Sequence, residues 1–412
     1  MGIARGLKKT DFGMISSDWI TSTVGDMFTF EGGSQPDKSY FSHTRKPGYI
    51  RLIQIRDYKT DRFETYIPQN MARRFCNADD IMIGRYGPPI FQILRGIEGA
   101  YNVALIKATP SNDINKTLAY YFLKQDRLFN FIDKLSQRSS GQTGVDLGEL
   151  RQYPFPIPPT RAEQEAIANA LSDADAYIES LGKLIEKKRL IKKGAMQELL
   201  TGKRRLPGFG GSGKFKDTEV GLVPEDWQVK LLPEVCRFRS GKAHEQYIVD
   251  DGKYVCVNSK FISTDGQVRK YSSANFCAAS RNDILMVMSD LPNGKALAKV
   301  FMVDRDNFYA VNQRVCALTP YKDDPEFVGL QLNRNPYFLK FDDGVSQTHL
   351  LNRVFEKCPL ILPNSIEEQR SISKIISEMT LEINGLESKL AKAHFIKQGM
   401  VQELLTGRIR LV

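Results

Sequence analysis

The sequence predicts an α+β chain: two mixed α/β globular domains joined by two long helices that form an antiparallel coiled coil. Three observations predict it. The first is an internal repeat, the signature to look for before any other. Residues 194–206 read GAMQELLTGKRRL and residues 399–411 read GMVQELLTGRIRL. Nine of these 13 positions are identical at a constant offset of 205, too many for two unrelated helix ends. The second is a seam of period 3.5. The third is a set of short apolar runs between Gly-, Pro-, Arg- and Lys-rich turns, which read as strands with occasional helices.

The repeat extends upstream. Glu163-Gln164 matches Glu368-Gln369, and Gln142-Thr143 matches Gln347-Thr348, at the same offset. KKTDFGMISSDW (8–19) matches KDTEVGLVPEDW (216–227) at offset 208, aligning the two tryptophans, Trp19 and Trp227. Between these anchors the copies share little beyond pattern. The expected organisation is a first domain at 1–158, a helical spacer at 159–206, a linker at 207–223, a second domain at 224–363 and a second spacer at 364–412. A near-cyclic arrangement follows, with Leu411 near Lys8.

In the first spacer Ile167, Leu171, Ala174, Ile178, Leu181, Ile185 and Lys188 fall at alternating steps of four and three. In the second, Ile372, Ile376, Met379, Ile383, Leu386, Leu390 and Ala393 repeat that spacing. This is an a/d seam. Each helix of about 40 residues is roughly 60 Å long and has nothing in its own segment to cover the seam. The other copy is the obvious partner, and antiparallel packing would set the two domains at opposite ends. Thr160 with Glu163, and Ser365 with Glu368, have capping-box spacing. Gly202 and Gly407 are candidate C-caps. Lys183, Lys187, Lys188, Arg189, Lys192 and Lys193 form either a solvated face or a contact with phosphate or an acidic partner.

In the first domain 49–55 and 80–84 read as strands and 116–134 as a helix. In the second, 254–257, 283–289, 299–303 and 311–318 read as strands and 324–332 as a helix.

Composition excludes several classes. No apolar run approaches the ~18 residues of a membrane span, and the start lacks the apolar core of a signal peptide. The six cysteines form no C-x-x-C pair, and most sit in apolar runs, so buried free thiols in a reducing cytoplasm are expected. The four histidines lack metal-ligand spacing. Gly208-x4-Gly213-Lys214 imitates a phosphate loop, but Phe215 stands where a magnesium-binding hydroxyl is needed. Asn335-Pro336-Tyr337-Phe338 reads as a helix start. No catalytic constellation stands out, which favours binding over catalysis. The net charge of +10 favours an anionic partner.

Candidate contacts are loop cations, amides, hydroxyls and one aromatic. They are Arg45, Lys46, Arg51, Arg56, Arg85, Tyr86, Gln142 and Thr143 in the first domain, and Asn293, Lys295, Arg314, Gln347 and Thr348 in the second. Arg and Lys read guanine edges, Asn and Gln read adenine, and Lys, Ser and Thr hold phosphates. For each cation the alternative is a solvated surface charge. For the repeated Gln-Thr pair it is a turn that caps the next element.

The duplicated QELLTG…RL ends, the PPTRAEQ and PNSIEEQ helix entries and the GLVPEDW start of the second unit resemble the specificity subunit of type I restriction–modification systems. The resemblance covers nearly the whole chain. It implies that each globular domain is a target recognition domain reading one half of a split, non-palindromic DNA target, with the paired helices as a ruler. It further implies docking of two modification subunits that carry S-adenosylmethionine and adenine methylation. Restriction subunits with an ATP- and magnesium-dependent motor and nuclease would join them. The chain itself would bind no cofactor and have no activity alone. A coiled-coil adaptor and a standalone DNA-modifying enzyme are the competing readings.

Overall fold

The computed structural model describes residues 2–3, 6–10, 13–137, 144–210, 213–291 and 294–411. It is an α+β fold with two long helices, Arg161–Leu199 and Ile366–Leu404. The chain divides into two compact units, Met1–Gly182 with Ser388–Val412, and Lys183–Glu387. Each long helix therefore contributes one half to each unit.

The first unit holds two four-stranded sheets. One runs Ile93–Leu94, Ile81–Gly84, Leu105–Pro110, Phe28–Gly32, all antiparallel. The other runs Tyr66–Pro68, Tyr49–Ile53, Gly99–Tyr101, Phe75–Cys76, with Tyr49–Ile53 parallel to Gly99–Tyr101. All four residues of Ile81–Gly84 are buried, so this strand sits at the centre of the domain. The expected helix over 116–134 is two helices, Lys116–Leu123 and Asp126–Ser136. Between them Gln125 is extended and buried, and its side-chain amide donates to Phe122 O. The turn lets Leu118 and Leu123 of one helix and Leu128 and Ile132 of the next enter one core.

The second unit repeats this plan. Its main sheet runs Cys236–Ser240, Val315–Pro320, Ile284–Val287, Val300–Met302. A smaller sheet places Tyr254–Val257 parallel to Tyr309–Val311. The strand expected over 311–318 is broken at Asn312–Arg314, because its two parts belong to different sheets. Of the stretch read as a linker, Phe215–Thr218 is instead a strand paired with Gly221–Pro224. The Asn335 side chain accepts from Tyr337 N and caps a short helix, so that motif is a helix start. All six cysteines are free and buried. Burial pushes the Cys358 thiol up to about 12 and Cys76 to about 11.

The repeated sequence has a repeated structural cause. In the first unit Arg410 donates to both oxygens of the buried Glu163 and to Asp18 at 2.8 Å. In the second, Arg205 donates to Glu368 at 2.6 Å and to Asp226 at 2.7 Å. Glu163 and Glu368 thus complete only half of the expected capping box. Their backbone amides do donate to Thr160 and Ser365, but their carboxylates turn to arginine, because a buried charge needs a cation more than an N-cap amide needs an acceptor. The neighbouring glutamines also act alike: Gln164 accepts from Asn115 N, and Gln369 from Asp324 N, both at 2.8 Å.

Both QELLTG ends close in the same way. Gly202 and Gly407 adopt φ of +69° and +67°, and a Cβ at Gly407 would lie 2.7 Å from Trp19 Cε2. Only glycine meets both the left-handed backbone and the close approach of the indole. The Lys8 and Lys216 ammonium groups each donate to the carbonyl of their own unit's tryptophan, Trp19 or Trp227, at 2.6 Å. The near-cyclic expectation is met within the first unit, where Gly2–Ile3 pairs with Ile409–Arg410.

The seam is buried as expected, described unit by unit. In the first unit Ile167 and Leu171 are fully buried with Leu404 and Leu405 in one core, Leu181 is buried, and Ile178 and Leu390 are half-buried. Asp175 meets Lys397 at 2.5 Å. In the second unit Ile185, Ile372, Ile376 and Ile383 are buried and Leu386 is half-buried. Lys188 meets Glu382, and Arg189 meets Glu387, both at 2.6 Å. Both pairings are antiparallel. Two of the crowded cations thus find their acidic partner on the other helix.

Arg410→Met is expected to leave Glu163 buried without a cation and to lower stability by about 3–5 kcal/mol in denaturant unfolding. Adding Glu163→Gln should recover most of the loss; no recovery would mean that the pair is not its source. Hydrogen bonds from Ser16 and Arg410 hold Asp18 below its ordinary 3.8, and Arg205 does so for Asp226. A depressed folded value gives stability that is present above 3.8 and lost as pH falls through the folded value. Asp226→Asn should therefore flatten the acid limb of the stability–pH curve.

Candidate nucleic-acid interface

The two domains can be compared position by position through one pair of backbone hydrogen bonds. In the first, Arg85 N donates to Ala104 O at 2.8 Å and Val145 N donates to Arg85 O at 3.1 Å. In the second, Met288 N donates to Arg314 O at 2.9 Å and Leu350 N donates to Met288 O at 2.8 Å. Arg85 thus corresponds to Met288, and Ala104 to Arg314. Each domain presents one cation at this junction, but on opposite strand ends. The backbone frame is shared, but the exposed cation is Arg85 in the first domain and Arg314 in the second, where Met288 is buried.

In the first domain Arg85 is exposed, and its guanidinium lies 5.2 Å from the ring centroid of half-buried Tyr86. Gln142 and Thr143 lie outside the described residues. Arg45 and Lys46 are exposed on the loop before Tyr49–Ile53, with Lys46 5.6 Å from the Tyr49 ring. Arg45 and Arg51 line one cleft of about 540 Å³ with Tyr49, Tyr66 and Asn77. Arg51 is committed elsewhere: it meets Glu64 at 2.9 Å, Asp61 at 3.1 Å and buried Asp57 at 3.9 Å. Burial raises the Asp57 carboxyl despite the Gln54 amide and the arginines Arg51 and Arg56. Arg56 keeps a half-exposed side chain 4.0 Å from Asp57.

In the second domain Arg314 and Lys295 are exposed, and Asn293 lies outside the described residues. Arg314 lines a cleft of about 430 Å³ with Lys260, Lys270, Ser289, Asp290 and Leu291. Gln347 is exposed but donates to Ser289 Oγ at 2.9 Å. Thr348 is buried, donates to Asp342, and pairs in a short ladder, Ser289–Asp290 with Thr348–His349. In this domain the Gln-Thr pair ties two loops together.

Sequence reasoning missed Lys260 and Lys270. Lys260 follows Tyr254–Val257 as Arg56 follows Tyr49–Ile53, in the first helical turn after the corresponding strand. In sequence it is one lysine among many. Only the topology marks it as the counterpart of Arg56. Among the described residues no cluster of His, Cys, Asp or Glu could hold a metal, and no helix is long and apolar enough to cross a membrane.

A model of the type I restriction modification DNA specificity domain matches residues 16–188 and again 224–393. The chain is 24% identical to the type I restriction enzyme MjaVIII specificity subunit of Methanocaldococcus jannaschii, over 96% of this chain and 94% of that one. It is 28% identical to the putative MjaX specificity subunit of the same organism, over 55% of this chain and 54% of that one. Among solved structures, the S subunit of the type I restriction–modification system of M. genitalium matches with a TM-score of 0.60 at 16% identity, covering 98% of this chain and 99% of that one. A chain from work on complex assembly and conformational transition of the type I R-M system matches with a TM-score of 0.55 at 14% identity, covering 96% and 99%. At these identities the likeness is one of fold.

Arg51→Leu is expected to lower stability by about 1–3 kcal/mol, because it leaves the buried Asp57 carboxylate with Arg56 alone as a cation and Glu64 without its salt-bridge partner. Arg45→Ala should leave stability within about 0.5 kcal/mol yet weaken duplex DNA binding. Thermal unfolding and a salt titration of affinity distinguish the two roles. A stability loss at Arg45 equal to that at Arg51 would overturn this division.

Proposed function

The chain belongs to the type I restriction modification DNA specificity family, and from that premise we propose that it is the non-catalytic subunit that reads a bipartite, non-palindromic DNA target for partner subunits. Each globular domain reads one half. The observation that carries this is the exchanged junction: Arg85 facing Ala104 in one domain, Met288 facing Arg314 in the other. Each domain exposes one cation at this frame, Arg85 on one strand end and Arg314 on the other, while Met288 is buried, so the two domains have no reason to prefer the same bases.

Binding rests on two contributions. The net charge of +10 supplies sequence-independent, salt-sensitive attraction to phosphates. Loop side chains supply choice. Linking the domains raises the effective concentration of the second contact once the first is made, provided the DNA gap fits.

Adenine methylation, with its S-adenosylmethionine, belongs to two modification subunits docked on the helices. The ATP- and magnesium-dependent motor and nuclease belong to restriction subunits. The repeat supports two copies of one partner, because the helices offer the same sequence twice. A cytoplasmic location accords with six free thiols.

Exchanging residues 24–157 for those of a relative with another specificity should change one half of the methylated motif only. Modified-base sequencing of DNA from cells that also express the modification partner reads both halves and the gap. A change in both halves, or in neither, would sink the modular reading. Arg314→Ala should relax one position of the second half at about 1–3 kcal/mol and leave the first half unchanged.

A further inference from the structure

The second domain presents an apolar side chain at the rim of its cationic cleft. Leu291 is 64% exposed and lines the cleft with Lys260, Lys270 and Arg314. Exposed Lys295 follows on the same loop. Across the Ser289–Asp290 and Thr348–His349 ladder, Val345 is 84% exposed on the neighbouring loop. A lone exposed leucine is unremarkable in itself. These two are distinguished by how firmly they are held.

Asp290 accepts from Leu291 N at 2.9 Å, Ala296 N at 2.7 Å and Leu297 N at 3.1 Å, closing the loop around its own carboxylate. Asp343 accepts from Val345 N and Ser346 N, both at 2.9 Å, and from the Ser346 hydroxyl at 2.8 Å. Gln347 joins the two loops through Ser289. The backbone at Leu291 and at Val345 is therefore held by a neighbouring aspartate, with the Leu291 side chain at the rim of the cationic cleft and both side chains in water. Such an arrangement gains from burial of the two side chains against a ligand.

The ligand must be anionic around its edge and apolar at the contact. Duplex DNA offers this in the major groove, where the thymine 5-methyl group projects between phosphate backbones. We propose that Leu291 and Val345 read thymine methyl groups in the second half of the target. This rests on the DNA-reading function above. Counted from the Arg85–Met288 correspondence, Leu291 falls on Pro88, whose ring cannot reach as far as a leucine side chain. Leu291 and Val345 both belong to the second domain, so the readout they provide concerns the second half-site.

The test uses the complex with its modification subunits and a duplex carrying the target found by modified-base sequencing. Each thymine of the second half-site is replaced by deoxyuridine, one at a time, on either strand. In the wild type at least one replacement should weaken binding by about three- to tenfold, the effect of one lost methyl contact. In Leu291→Ala or Val345→Ala that penalty should disappear, while replacements in the first half-site act alike in all three proteins. The proposal is overturned if the wild type binds its target and every second-half replacement is neutral. A penalty that persists undiminished in both variants overturns it equally, as does a second half-site with no thymine on either strand. A wild-type complex that does not bind DNA at all would instead overturn the DNA-reading function itself. Both side chains are exposed, so melting curves should coincide and exclude misfolding.

Discussion

The buried carboxylate at the start of each long helix is the constraint on which the rest of the structure depends. Glu163 and Glu368 are taken out of water, and each needs a guanidinium. Within the first unit that guanidinium is Arg410, and within the second it is Arg205. Each arginine lies just past a QELLTG helix end and also grips the aspartate before its unit's tryptophan. One ion cluster thus fixes a helix start, a helix end and the entry hairpin of a domain. The glycine that ends the helix must then tolerate the indole.

This accounts for which parts of the repeat are alike. Beside seam and helix-end positions such as Ile167 with Ile372 and Leu199 with Leu404, the identical residues include the glutamate and arginine of the cluster, the helix-ending glycine and the glutamine braces. The charged and amide members satisfy buried polar groups with fixed geometry, and such groups admit few substitutes. The sheets between them need only apolar side chains of suitable size, a requirement met by many sequences. Exposed edges need still less. The two domains therefore keep one topology while exposing their cation at different positions of it, Arg85 in the first and Arg314 in the second.

The candidate interface was legible in part. Arg45, Arg85, Lys295 and Arg314 are exposed cations at loops, as their setting between strands suggests. Arg51 looks no different in sequence, yet three carboxylates from two later segments surround it. These carboxylates are near in sequence, but only the turns over 55–63 aim them at Arg51, so its commitment is invisible until the chain folds. Thr348 is similar: a polar residue beside a glutamine reads as a contact, but the ladder buries it. Lys260 could be recognised only once its strand and that of Arg56 were seen to hold the same place in their sheets.

The sequence by itself determined the duplication, the heptad seam, the helix ends at Gly202 and Gly407 and the burial of the cysteines. Each of these depends on spacing along the chain or on the preference of one residue type, which local physics imposes. The tertiary structure decided where the carboxylates of Glu163 and Glu368 point and where the helix over 116–134 breaks. It also decided which strands share a sheet and which arginines keep a free face. These depend on groups brought together from distant positions, 392 apart for Asp18 and Arg410, and no pattern along the chain encodes which distant partner a buried charge will find.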